Sequence, residues 1–109
     1  MRADIYARTA CVTQRFNSAI AAQLEALRAH AAWMGMDIVS QFTDEGYSGL
    51  RPDRPDLNRL RALAGVRSFN VLLTFDPERL ARNLDQRVPM LEELEQCGVR
   101  TVFLEGQGR

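Results

Sequence analysis

Asn70-Val71-Leu72-Leu73-Thr74-Phe75-Asp76-Pro77-Glu78-Arg79-Leu80-Ala81-Arg82-Asn83 decides the fold of this chain. Residues 71–75 form an almost unbroken apolar run that stops at a polar, proline-bearing turn. Such a run suits a central strand buried on both faces, and a strand of that kind belongs to a parallel sheet covered by helices. The neighbouring segments agree. Residues 3–7 read as a short strand, followed by a polar stretch from Thr9 to Asn17. A helix opens at Asn17 or Ser18, either of which suits an N-cap. Ile20, Leu24, Leu27, Ala31 and Met34 fall on one face of it, and Gly35 is placed to end it.

Residues 37–42 read as a second strand. The loop Asp44-Glu45-Gly46-Tyr47-Ser48-Gly49 is rich in turn residues, and Pro55 suits the first turn of a helix. Leu57, Leu60, Leu63 and Ala64 form the apolar stripe of that helix, with Gly65 at its end. A third helix is expected over 85–97, with Pro89 in or near its first turn, Val88, Leu91 and Leu94 buried, and Gly98 as cap. Residues 99–104 read as the last strand. The order βαβαβαβ predicts an α/β, three-layer domain around a central, mostly parallel four-stranded sheet with right-handed crossovers. One domain spanning 1–109 is expected.

Composition narrows the partners. The chain has 109 residues, 46% apolar and 26% charged, with a formal net charge of zero. Neutrality argues against gripping nucleic acid by bulk charge alone. All 14 basic residues are arginine. For Arg2, Arg28, Arg59, Arg61, Arg67, Arg87 and Arg100, a GC-rich coding bias is account enough. Cys11 and Cys97 stand far apart with no C-x-x-C spacing, so neither a metal site nor a disulfide framework is suggested. No apolar run reaches the ~20 residues of a membrane span. A reduced, cytoplasmic setting is expected.

Four arginines stand out by placement. Ligands of open parallel sheets bind at the carboxyl ends of the strands. Arg8 follows the first strand, Arg54 the second, and Arg79 and Arg82 the third. On a helical turn, Arg79 and Arg82 would share a face, and Glu78 could orient one of them. Taken singly, each is a solvated surface residue. Taken together, they form a clamp for phosphate, because guanidinium forks match phosphate oxygens and stabilise the charge of phosphoryl transfer.

These stretches resemble the N-terminal catalytic domain of the serine recombinases, the resolvase and invertase family, nearly end to end. Tyr6-Ala7-Arg8-Thr9-Ala10-Cys11 looks like the family's Tyr-Ala-Arg-Val-Ser-Thr. Ser18 to Leu27, with Gln23, is similar to its Ser-x-x-x-Gln-x-x-x-Leu. Asp44 to Gly49, then Asp53-Arg54-Pro55, correspond to Asp-Glu-Gly-x-Ser-Gly…Arg-Pro. The Asp76 to Asn83 stretch resembles the Asp-Pro-Asp-Arg-Leu-Ser-Arg-Asn of large serine recombinases. The resemblance implies cleavage and rejoining of DNA through a covalent 5′-phosphoserine link, with no metal, nucleotide cofactor or small-molecule substrate. It implies that Arg8, Arg54, Arg79 and Arg82 hold the scissile phosphate, that Glu78 stands for the family aspartate, and that Gln14 and Gln23 support the site. It further implies a longer parent protein with a long helix and a DNA-binding module, acting on duplex DNA as a dimer or tetramer.

One position departs from the pattern. The family serine falls at Ala10, which has no nucleophile. Three readings stay open: an inactive domain, a substitute nucleophile at Cys11 or Thr9 (with Thr13 a further hydroxyl), or a shifted register in the loop. A thiol among arginines would have a lowered pKa, while a small buried residue is the commoner role of a free cysteine. The rival from another class is a recombinase-like assembly or regulatory module that does not cut. A flavodoxin-like phosphate binder is more distant, since no Gly-rich loop follows the first strand. Among the remaining residues, Trp33, Met34 and Met36 read as core, Cys97 as packed, and His30 as structural or surface. Tyr47 is equally a site contact or an exposed loop aromatic.

Overall fold

The computed structural model describes residues 1–9, 14–48, 50 and 53–105, and for residues 14–18 the backbone alone. Its elements are β1 (Arg2–Thr9), α1 (Gln14–Met34), β2 (Asp37–Glu45), α2 (Pro55–Gly65), β3 (Val71–Thr74), α3 (Pro77–Leu80), α4 (Leu84–Gln96) and β4 (Arg100–Phe103). The four strands lie in the order β2-β1-β3-β4 and every pairing is parallel. The expected three-layer α/β architecture is therefore the observed one.

Strand alternation sorts the core into two layers. Ala3, Ile5 and Ala7 of β1, with Val71 and Leu73 of β3, face Ile20, Leu24, Leu27 and Ala31 of α1. Tyr6, Phe42 and Leu72 project to the other side, against Leu57, Leu60 and Ala64 of α2 and Met90 and Leu94 of α4. All four residues of β3 are buried, as its apolar run requires. The chain turns outward in opposite directions from β1 and β3, so their carboxyl ends border the switch point where ligands of such sheets bind.

Several local readings are corrected. Helix α1 begins at Gln14, earlier than Asn17 or Ser18. Strand β2 runs on through Glu45, because Thr43, Asp44 and Glu45 continue the pairing with Ala7, Arg8 and Thr9. Gly65 is still helical, and the left-handed residue after α2 is Arg67 (φ 57°). Gly35 and Gly98 do adopt positive φ at the ends of α1 and α4. Pro89 is the sixth residue of α4, just past its first turn. Val88 is 48% exposed, and Met90 takes the buried place beside Leu94.

The end of α1 also departs from the reading of Trp33 and Met34 as core. Trp33 is 80% exposed and Met34 is 44% exposed, while Met36 packs against the α1 layer. The apolar stripe of α1 finishes at Ala31, so the last turn overhangs the sheet. The His30 ring lies 6.0 Å from that of Trp33. Cys97 is half-buried against the second layer. Among the described residues, no helix is long and apolar enough to cross a membrane.

Candidate functional site

Arg8 is the last even-numbered residue of β1 and shares its sheet face with Tyr6. Its guanidinium is buried, and its donors meet backbone carbonyls: Nε to Arg79 at 3.1 Å, Nη1 to Tyr47 at 2.8 Å and Nη2 to Glu78 at 2.9 Å. Gln23 of α1 grips the peptide of Arg8 from the opposite layer. Its Oε1 accepts from the Arg8 amide and its Nε2 donates to the Arg8 carbonyl, both at 3.2 Å. Burial, and then the neighbouring Arg54 guanidinium, pull the Arg8 pKa below the ordinary arginine range. Arg79 pulls the same way, while Tyr6 and Asp76 oppose it.

Arg54 is fully buried directly before α2, whose first residue Pro55 needs no amide partner there. Its Nη1 donates to the Tyr6 hydroxyl (3.0 Å) and to the Arg79 carbonyl (2.7 Å), and its Nη2 donates to the Leu80 carbonyl. The Tyr6 hydroxyl in turn donates to Asp44 Oδ2 at 2.8 Å. Asp44 also accepts the amides of Asp56 and Leu57, both at 3.0 Å, and so satisfies the first turn of α2. Burial keeps the Tyr6 phenol well above its ordinary pKa, with Arg54 opposing and Asp44 adding to the rise.

Helix α3 is a single turn that projects Glu78 and Arg79 from the end of β3. Asp76 caps it by accepting the Arg79 amide at 3.2 Å. The Arg79 side chain is partly exposed. One of its terminal nitrogens lies 3.7 Å from Asp76, and its buried Nε has no hydrogen-bond partner among the described residues. Arg82 lies beyond α3, after Ala81 returns to extended backbone, so Arg79 and Arg82 do not share a helical face as expected. Arg82 Nε is 3.8 Å from Glu78 Oε1, an exposed pair of small energetic weight.

Arg8, Arg54, Arg79 and Gln23 thus meet at the carboxyl ends of β1 and β3, with Glu78 and Arg82 at the rim. Gln14 is the first residue of α1, but its side chain lies outside the described residues, as do Ala10, Cys11 and Thr13 altogether. Thr9 is buried, and strand alternation directs it to the α1 face, away from Arg8. Tyr47 contributes its carbonyl. The sequence reading did not single out Tyr6, Asp44 or Asp76. A signal existed for Tyr6: a polar group in a strand buried on both faces must find a partner. A groove of about 830 Å³ runs along the free edge of β4, lined by His30, Leu91, Glu95 and Val102, and none of the clustered arginines borders it.

A three-layer parallel fold with arginines gathered at its switch point invites comparison with known proteins, and the matches are recombinase catalytic domains. Residues 3–109 match the family model "Resolvase, N terminal domain". The chain belongs to that family and is a resolvase-type site-specific recombinase catalytic domain. A Bacillus subtilis (strain 168) protein named "Putative DNA recombinase" is 34% identical over 104 residues, which are 94% of this chain and 20% of that protein. The chain therefore spans about a fifth of this relative's length. The C-terminal catalytic domain of ISC1926 TnpA, an IS607-like serine recombinase, is similar at TM-score 0.88 and 28% identity, over 97% of this chain and 72% of that one. The N-terminal catalytic domain of TP901-1 integrase (TM-score 0.86, 23% identity, 95% and 77% covered) shares the fold. So does a resolvase family site-specific recombinase from Streptococcus pneumoniae (0.83, 22%, 95% and 72%).

Proposed function

We propose that this domain binds a phosphodiester of duplex DNA at the carboxyl ends of β1 and β3 and serves strand cleavage and rejoining in a longer recombinase. The observation that carries the reading is the convergence of Arg8, Arg54 and Arg79. Three guanidiniums drawn together in a poorly solvated place repel one another, and an anion relieves that repulsion. Arg79, whose Nε has no hydrogen-bond partner among the described residues, and the exposed Arg82 are the cations a phosphate would meet. Arg8 and Gln23 hold the frame.

In the covalent route, a protein nucleophile attacks phosphorus, a 5′-phospho-enzyme link forms and the 3′-oxygen leaves with a proton. The reverse attack rejoins the strand, because the link retains the energy of the broken bond. Alanine at position 10 has no atom for that attack. Cys11 is the stronger substitute, since Thr9 is buried on the far face. Ala10 also favours a second reading, in which the domain keeps the phosphate frame for assembly or regulation without cutting. The neutral net charge leaves most DNA affinity to other parts of the parent protein, which would act as a dimer or tetramer in the cytoplasm.

The test is a covalent protein–DNA adduct from the longer protein on supercoiled DNA carrying its site, with Ala10→Ser, Cys11→Ala and Thr9→Ala run in parallel. An adduct abolished only by Cys11→Ala assigns the thiol. Recovery only in Ala10→Ser identifies an intact frame lacking its nucleophile. No adduct in any variant refutes a cleavage-competent arginine frame.

A further inference from the structure

Resting on the phosphate-site reading above, we propose that Asp44, Tyr6 and Arg54 form a buried positioning relay for Arg79, and that Arg54 is not itself a phosphate ligand. Asp44 is 2% exposed, and its oxygens collect the Asp56 and Leu57 amides and the Tyr6 hydroxyl. The two amide bonds fix the start of α2, and with it the adjoining Arg54. A phenol has a single proton. With that proton given to Asp44, the hydroxyl oxygen turns its lone pairs to Arg54 Nη1, 3.0 Å away.

Arg54 passes this order on to α3. That helix is four residues long, too short to hold its own shape, and its last carbonyls have no intrahelical donors. Arg54 supplies donors to the Arg79 and Leu80 carbonyls. The Arg79 carbonyl takes a second guanidinium from Arg8 Nε, so both of its lone pairs are occupied. Arg54 has no exposed surface, whereas the Arg79 side chain reaches solvent at 29%. For Arg54 to bind phosphate directly, it would have to leave the carbonyls that hold α3 in place.

The test uses the 109-residue chain, inorganic phosphate and the arginine Nε–Hε NMR resonances. In the parent, the Arg79 resonance is expected to shift and saturate. Tyr6→Phe keeps the ring and deletes the hydroxyl, while Arg54→Lys keeps the charge and loses the two-carbonyl bridge. Both should raise the phosphate midpoint about tenfold, the order expected for one hydrogen bond to a charged group. They should do so at a temperature where the variants remain folded, so that a loss of stability alone would leave the midpoint unmoved.

Unchanged midpoints overturn the relay, and so does an Arg54 resonance that follows phosphate as strongly as that of Arg79. If Tyr6→Phe does not fold, Arg54→Lys carries the comparison. Silence of Arg79 in the parent refutes the phosphate reading instead. The relay is then judged by hydrogen exchange of the Ala81 amide, which bonds Pro77 across α3. Faster exchange in the variants sustains the relay, and parental exchange rejects it.

Discussion

Arg8 Nε donates to the carbonyl of Arg79 at 3.1 Å, joining residues 71 apart in the chain. The bond ties the end of β1 to α3, the turn that follows β3 on the same side of the parallel sheet. It also means that Arg8 is engaged by peptide oxygens, with Tyr47 and Glu78 completing the set. The partly exposed cations of the site are therefore those of the α3 region.

Arg8→Ala should be far more destabilising than Arg82→Ala. The first removes three hydrogen bonds to backbone carbonyls in a buried place, at a cost of about 3 kcal/mol. The second removes an exposed side chain and should change stability by less than about 0.5 kcal/mol. Urea unfolding of the two variants checks the contrast, and equal losses would contradict the burial argument.

If the domain works within a longer recombinase, as proposed, Arg79→Ala and Arg82→Ala there should each weaken DNA binding across sequences. Each should also lower the slope of log K against log salt by about 1, since a phosphate contact releases about one counterion. Affinity measured between low and moderate salt decides this. A loss confined to one sequence would mean base recognition instead.

Asp4 is 1% exposed, and neither of its oxygens has a hydrogen-bond partner among the described residues. Burial raises its pKa from 3.8 to about 6, tempered by the nearby Ser40 amide and by Arg2. The folded state therefore keeps the proton between about pH 4 and pH 6, where the unfolded chain has released it. This contribution is full below about pH 4 and is lost as pH rises toward 6. Asp4→Asn should accordingly stabilise the protein at pH 7.5 by about 1–2 kcal/mol and change little at pH 4. Thermal unfolding across that range is the measurement, and an equal effect at both pH values would rule out the carboxylate as the cause.

Gly98 closes α4 at φ 79°, and a Cβ built there would lie 2.9 Å from Arg67 Nη1. Gly98→Ala should cost about 1–2 kcal/mol, mostly from the left-handed backbone, because the arginine tip can move aside. Adding Arg67→Ala should recover only a small part. Full recovery in the double variant would assign the cost to the contact.

The sequence by itself determined the four strands, the three longer helices and their order, while the single turn of α3 was absent from it. The apolar run at 71–75, the helical stripes of Ile20 to Ala31 and Leu57 to Ala64, and the turns at Gly35 and Gly98 are local signals, because each element's own periodicity records the face it buries; the same periodicity extended the first stripe to Met34, which the structure exposes. The motifs around Arg8, Arg54 and Arg79 marked the edge of the sheet where the site lies, since in a parallel sheet every strand ends on the same side. Only the tertiary structure decided what those arginines touch. The acceptors of Arg8 and Arg54 are carbonyls of residues distant in sequence, and a carbonyl carries no side-chain signature. The partnering of Tyr6 with Asp44, the burial of Asp4 and the exposure of Trp33 have the same origin. Each depends on which element happens to cover that point of the sheet, and no single segment encodes its own cover.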